Sequence, residues 1–150
     1  ADITVPEGGA EGMIVTLGGR FGGYAMYLLG GKPVFDYNLL DLERFRWEGG
    51  VGGVIGDDLF GKALKPGKHT LVFDFKYDGP GPGKGGTGVF TVDGKEICKA
   101  ELKRSVPAAF TASESFDVGV DLGSTVAEAY AERRPFKFDG KIEKVTVELK

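Results

Sequence analysis

Cysteine is nearly absent from this chain of 150 residues, and the one present, Cys98, has no second thiol with which to make an internal disulfide or a multi-thiolate zinc site. Its position suits an inward-facing strand residue, a buried structural thiol rather than a nucleophile. Histidine is equally scarce. A serine or cysteine triad would have to be built on His69, which follows a turn and has no nucleophile close by in sequence. No apolar run is long enough to span a bilayer, and no charged start followed by an apolar stretch marks a signal peptide. The compartment stays open, since a start at Ala1 suits a mature secreted chain, a cytoplasmic one or a piece of a longer parent. Charge of one sign is lacking too: 19 basic and 22 acidic residues are interspersed, for a net charge of -3. Nothing here favours nucleic acid, which demands a basic face. The 26 glycines follow no three-residue period, which excludes collagen and points to tight turns between many short strands.

What the chain has is alternation. From Lys68 to Leu102 it reads as an antiparallel meander: Leu71, Phe73, Phe75 and Tyr77 fall on one side of a strand, with Asp74, Lys76 and Asp78 on the other. A glycine-rich connection leads into Val89-Phe90-Thr91-Val92, and Asp93-Gly94 supplies the positive φ angles of a two-residue hairpin before Glu96 to Leu102 returns. Upstream, Asp2-Ile3-Thr4-Val5 and Met13-Ile14-Val15-Thr16-Leu17 are strands. Tyr24 to Leu29 pairs with Pro33 to Leu39 across a glycine turn, and Leu42 to Trp47 is a strand or an irregular stretch. Residues 49–56 carry five glycines with Val51, Val54 and Ile55, and 57–65 read as a polar-edged loop anchored by Leu59, Phe60 and Leu64. Val106 to Thr111 reads as an edge segment, because Pro107 cannot donate to a ladder. Phe116, Val118 and Val120 alternate with Asp117, Gly119 and Asp121. Ser124 to Arg133 is the sole candidate helix, with Thr125 and Glu128 spaced as a capping box. Phe136-Lys137-Phe138 and Val145 to Leu149 close the chain as strands. About ten short strands, at most one short helix and no βαβ rhythm predict one all-β domain over residues 1–150, an antiparallel two-sheet sandwich of jelly-roll type.

Chemistry is harder to find. Gly81-Pro82-Gly83-Lys84-Gly85-Gly86 has the letters of a dinucleotide fingerprint but opens no helix, and Gly85 stands where a phosphate-loop hydroxyl would hold magnesium. Glu114, Asp117 and Asp121 raise the question of a glycoside hydrolase. Glu114 and Asp117 point to opposite faces of an ideal strand, and Asp117 and Asp121 are roughly 13 Å apart if extended, too far for an acid and nucleophile pair. Asp117 or Asp121 with backbone carbonyls suits a hard divalent cation such as calcium, although solvated carboxylates on an outer face are the plainer reading. Arg20, Tyr24, Tyr27, Tyr37, Arg44 and Trp47 form a polar-aromatic set suited to sugars, sulfated groups or a protein partner, most of whose rings also serve ordinary packing. From this set Arg20, Tyr24, Tyr37, Arg44 and Trp47 are the expected ligand contacts.

Several segments in order carry a family resemblance: Pro6-Glu7-Gly8-Gly9-Ala10-Glu11-Gly12, Gly18-Gly19-Arg20-Phe21-Gly22-Gly23-Tyr24, Gly31-Lys32-Pro33-Val34-Phe35-Asp36-Tyr37-Asn38, Tyr77-Asp78-Gly79 with Gly83-Lys84-Gly85-Gly86-Thr87-Gly88, Val92-Asp93-Gly94-Lys95 and Phe116-Asp117-Val118-Gly119-Val120-Asp121. Over nearly its whole length the chain resembles the C-terminal accessory domain of long bacterial arylsulfatases. The resemblance implies a concanavalin A-like or laminin G-like sandwich, and no sulfatase activity. Those enzymes make formylglycine from a cysteine in a Cys-x-Pro-x-Arg context within a separate α/β domain, whereas Cys98 here is followed by Lys99-Ala100-Glu101-Leu102. The chain departs from the family where an aspartate-rich segment follows the last motif, reading Ser124-Thr125-Val126-Ala127-Glu128-Ala129-Tyr130 instead. The expectation is a non-catalytic accessory domain that packs on a sulfatase catalytic domain or binds carbohydrate or sulfated glycan. The rivals are a self-associating structural module that forms a homo-oligomer through apolar surface or an unpaired edge strand, and an enzyme of glycoside hydrolase type.

Overall fold

The computed structural model describes residues 1–49, 61–107 and 114–149. The described residues form ten strands: β1 (Asp2–Val5), β2 (Gly12–Gly19), β3 (Gly22–Leu29), β4 (Lys32–Leu39), β5 (Glu43–Glu48), β6 (Gly67–Tyr77), β7 (Gly86–Val92), β8 (Lys95–Leu102), β9 (Phe116–Val118) and β10 (Lys141–Lys144). They form two antiparallel five-stranded sheets, β10-β1-β6-β7-β8 and β5-β4-β3-β2-β9. The expected all-β two-sheet sandwich with at most one short helix is what the residues build. The β6-β7-β8 meander, the Asp93-Gly94 turn and the β3–β4 hairpin lie where alternation and glycine placed them. Residues 50–60, most of the glycine-rich stretch and the start of the expected loop, and residues 108–111 of the expected edge segment lie outside the described residues.

The inner faces meet over a core in which Phe73 of one sheet stacks on Phe35 of the other, centroids 3.6 Å apart, with Trp47 edge-on to both. Burying three such rings supplies a large share of the apolar area that holds the sheets together. A bulge in β2 pairs Met13 with Tyr27 but Val15 with Met26. Ile14 is the extra residue, so Ile14 and Val15 both enter the inner core while Met13 turns outward.

On the outer face of the second sheet lies a smaller core. Residues 121–138 fold back over Ala25, Tyr27 and Val34, bringing Val126, Ala127, Tyr130 and Phe136 down onto them. Tyr130 stacks on Phe136 and meets Tyr27 edge-on, each at 5.0 Å. Gly12 is required beneath this roof, since a Cβ there would stand 2.3 Å from the Lys137 carbonyl oxygen.

Three expectations need correction. The helix is a single 3-10 turn pair, Glu128–Arg133, capped by extended Ala127 without a side-chain bond, so Thr125 and Glu128 make no capping box. Tyr130 and the roof contacts hold this segment instead of helix propensity. Phe136-Lys137-Phe138 contributes one isolated bridge, Met13 to Lys137, because its two rings turn to different cores. The last strand is Lys141–Lys144 rather than Val145 to Leu149, since its ladder with β1 ends at the pair Asp2 and Lys144.

Candidate functional site

Two hairpin tips, those of β2–β3 and β4–β5, stand side by side at one end of the second sheet. The first is tight by composition: a Cβ on Gly18 or Gly23 would lie 2.2 Å from the carbonyl oxygen across the hairpin, of Gly22 and Leu17 respectively. The second closes with Leu42 N–H donating to the Leu39 carbonyl, and its central residues, Leu40 and Asp41, have φ of 54° and 61°. Positive φ at both central positions is the hairpin geometry that Asn-Gly ordinarily fills. A leucine held there costs about 1 kcal/mol or more.

Asn38, fully buried, fastens the tips together. Its amide nitrogen donates to the carbonyls of Gly19 (3.1 Å) and Arg20 (2.8 Å), and its oxygen accepts from the Asp41 N–H at 3.0 Å. Ser124 adds a third element, accepting from the Arg20 N–H at 2.8 Å and donating to Glu114 at 2.7 Å. Arg20 and Arg44 both donate to Asp41, one to each carboxylate oxygen. Arg44, with Arg20 behind it, holds the Asp41 carboxyl below the usual carboxylate range. Beyond these ion pairs the tips present carbon to solvent: Phe21 is 66% exposed and Leu42 73%, with the Arg20 guanidinium 5.9 Å from the Phe21 ring centre. A guanidinium beside an open ring and two leucines can meet an anionic group and an apolar face at once.

Of the five expected ligand contacts, the structure therefore brings Arg20 and Arg44 together and places the other three elsewhere. Trp47 is 1% exposed, its indole N–H donating to the Gly88 and Ala100 carbonyls at 3.1 and 3.3 Å. Tyr24 packs on Phe35 within the inner layer, and the half-buried Tyr37 accepts from the Val106 N–H through its hydroxyl. Strand parity explains the division, for Phe45 and Trp47 face inward while Arg44 and Arg46 face outward. Phe21, Asn38, Asp41 and Leu42 were not foreseen. The one usable sign was the run of glycines flanking Arg20 and Phe21, which marks a hairpin tip.

The two expected metal ligands are already engaged. Asp117 accepts from the Ser115 hydroxyl at 2.8 Å and the Leu122 N–H at 3.2 Å. Asp121, 1% exposed, accepts from the Gly123 N–H at 3.2 Å and the Tyr130 hydroxyl at 2.8 Å. Gly119, with φ of 79°, turns the chain between them, so the extended separation of the two aspartates does not apply. Burial raises the Asp121 carboxyl, and the charges of Asp117 and Glu114 raise it further, against the bonds from Tyr130 and Gly123. Calcium takes six to eight oxygens, and here each carboxylate oxygen of the pair already accepts a proton donor. Among the described residues no three histidine, cysteine or acidic side chains are grouped to hold a metal ion.

A second buried polar group lies under the roof. The Tyr27 hydroxyl donates to Asp36 at 2.5 Å, and Arg46 donates to both Asp36 oxygens at 3.0 and 2.9 Å. Burial first, then Asp36, raises the Tyr27 phenol. His69 is bound on both ring nitrogens, to Asp93 at 2.7 Å and the Lys65 carbonyl at 2.8 Å. Cys98 is buried, which raises its thiol.

Fold and site together define an all-β two-sheet sandwich with a polar-apolar cluster on two linked hairpin tips. No known protein family, curated protein or solved structure matches the chain.

Proposed function

We propose that this sandwich is a non-catalytic accessory domain of concanavalin A-like type that binds carbohydrate, with a sulfated glycan as the favoured ligand, through Arg20, Phe21, Leu42 and Arg44. The observation that carries the reading is the pairing of an exposed aromatic with a 65% exposed arginine on tips that a buried asparagine holds in place. A sugar ring offers C–H faces to Phe21, and a sulfate offers oxygens to the Arg20 guanidinium. Supporting it, the groups that chemistry would need are committed elsewhere: His69 on both nitrogens, Asp36 to Arg46 and Tyr27, Asp121 to Tyr130. The resemblance to arylsulfatase accessory domains supports the same class of role. Exposed Leu40 and Leu42 favour a second reading, in which the tips dock on a sulfatase catalytic domain.

Calorimetry against sulfated and neutral oligosaccharides, with and without calcium, tests the proposal. Saturable binding of the sulfated series is expected, weakened about tenfold or more by Phe21→Ala and by Arg20→Ala. Tyr37→Phe, which alters a half-buried hydroxyl away from the tips, should leave it unchanged. No binding in any series would sink the glycan reading and leave docking as the better account.

A further inference from the structure

The three arginines near the hairpin tips are engaged to different degrees. Arg44, its side chain 29% exposed, donates through Nη2 to Asp41 and lies 3.5 Å through Nη1 from Glu128. Arg104, two residues past β8, reaches across to the second sheet and donates at 2.6 Å to Glu43, the residue after Leu42. Arg20 differs from both. Its side chain is 65% exposed, only its Nε lies near an acceptor, an Asp41 oxygen at 3.5 Å, and its two terminal nitrogens make no polar contact among the described residues. Carboxylates surround this open guanidinium. Ser124 accepts from the Arg20 N–H at 2.8 Å and donates to Glu114 at 2.7 Å, which puts the Glu114 carboxylate one hydroxyl away from the Arg20 backbone. Asp117 and Asp121 follow it in the chain, and among the described residues none of these three acids pairs with a cation. Glu43 and Glu128 stand on the other side, against Arg104 and Arg44. Residues 108–113 carry no charged side chain, so this balance does not depend on them.

We propose that the tips select sugars carrying a single sulfate, held by Arg20, and gain nothing from denser sulfation. The inference rests on the glycan reading above and narrows it. A sulfate ester bears one negative charge, and the two terminal nitrogens of Arg20 present a planar fork to two of its oxygens. One such group balances the one guanidinium that is open. A second sulfate on the same or the next ring finds Arg44 and Arg104 already on carboxylates, and has Glu43, Glu114 or Glu128 for neighbours. Like charges brought together at an interface act against binding. At physiological ionic strength charges beyond about 8 Å are largely screened, so these close carboxylates set the limit and the net charge of the chain does not. Selectivity of this kind is built from repulsion as much as attraction.

Calorimetry on the full chain decides the matter, with disaccharides of galactose, glucose and N-acetylglucosamine bearing no sulfate, one, two or three. Short sugars keep the test to the tips and away from Lys84 and Lys103 on the first sheet. One sulfate should tighten binding about tenfold over none. Further sulfates should add no more than the roughly threefold gain that three copies of one group give by counting. Glu43→Gln combined with Glu128→Gln releases Arg104 and Arg44 from their carboxylates. In that variant the trisulfated sugar should bind about tenfold more tightly than in the wild type. Glu128 is exposed and Glu43 partly so, and circular dichroism verifies that the variant stays folded. Affinity that climbs about tenfold with each added sulfate, neutral sugars that bind as tightly as sulfated ones, or a double variant with unchanged preference would each overturn the proposal and leave carbohydrate binding standing. No binding by any sugar at any degree of sulfation would overturn both.

Discussion

The two sheets alternate in the same way along their strands, yet their outer faces have opposite fates. On the first, Asp2, Thr70, Val72, Asp74 and Lys76 stand in solvent. On the second, residues 121–138 close over Ala25, Tyr27 and Val34, which are fully buried. The contrast teaches that a strand's polar positions are not thereby surface positions. Asp36 and Asn38 occupy the same alternating slots as Asp74 and Lys76, yet both are buried, Asp36 against Tyr27 and Arg46 and Asn38 against the backbone of the neighbouring hairpin tips. Once dry, such groups must be answered in full, and among the described residues no buried side-chain polar atom lacks a partner.

The sharpest way to break the contrast is to remove a ring from the roof. Tyr130→Ala deletes a fully buried side chain stacked on Phe136, and should lower the unfolding free energy by about 3–5 kcal/mol. Val72→Ala on the open face should change it by about 0.5 kcal/mol or less. Denaturant titration measures both, and similar losses at the two positions would mean that the roof contributes no more than a solvated face. Next in size is Asp36→Ala, which leaves the Tyr27 hydroxyl proton without an acceptor, though Arg46 still donates to its oxygen, and takes from Arg46 the carboxylate that binds it twice, leaving Glu48 at 3.7 Å. Arg46 is partly exposed and can turn to water, so the expected loss is about 2–3 kcal/mol. Tyr130→Phe keeps the ring and removes only the hydroxyl, stranding one Asp121 oxygen and the Val126 N–H. About 1–3 kcal/mol is expected, and a loss as large as that of the alanine variant would show that packing contributes little.

The smallest effect sharpens the comparison through pH. Burial raises the Asp121 carboxyl above its ordinary value, so the stability it contributes is whole below the unfolded value and is lost as pH rises through the folded one. Measured against Asp121→Asn from about pH 3 to about pH 7, the wild type should lose ground as pH rises. Asp41 at the hairpin tip, held low by Arg44, has the opposite sign: its contribution is present above the unfolded value and fades as pH falls. A flat difference between wild type and Asp121→Asn would show that the buried aspartate does not govern the trend.

Much of the sandwich was legible because half-buried strands write their period into the chain. Leu71, Phe73 and Phe75 face inward as read, and Asp93-Gly94 turns as read. The ligand set was less legible, since Trp47 and Arg44 were grouped by chemistry when their positions differ in parity. The pairing of Asp36 with Arg46 was within reach: the β4–β5 hairpin sets them directly opposite once its turn is placed at Leu40 and Asp41. The roof was not, because the local signals in residues 121–138, a capping-box spacing and the Phe136-Lys137-Phe138 alternation, point to a helix and a strand that do not form, while the stretch gains its form from contacts with β2, β3 and β4. Three residues at the hairpin tips, Asn38, Asp41 and Phe21, carry no local pattern that separates them from ordinary turn and strand residues.

Asn38 has a consequence for recognition. Two separate loops meeting a ligand would each lose freedom on binding, and that entropic loss subtracts from affinity. A single buried amide anchors both tips, so their ordering is completed when the chain folds. Whatever touches Phe21 finds Leu42 at a set spacing, as two prongs of one fork. On the proposed glycan-binding role, selectivity between ligands would then rest on whether their own spacing fits, and little on their power to organise the protein.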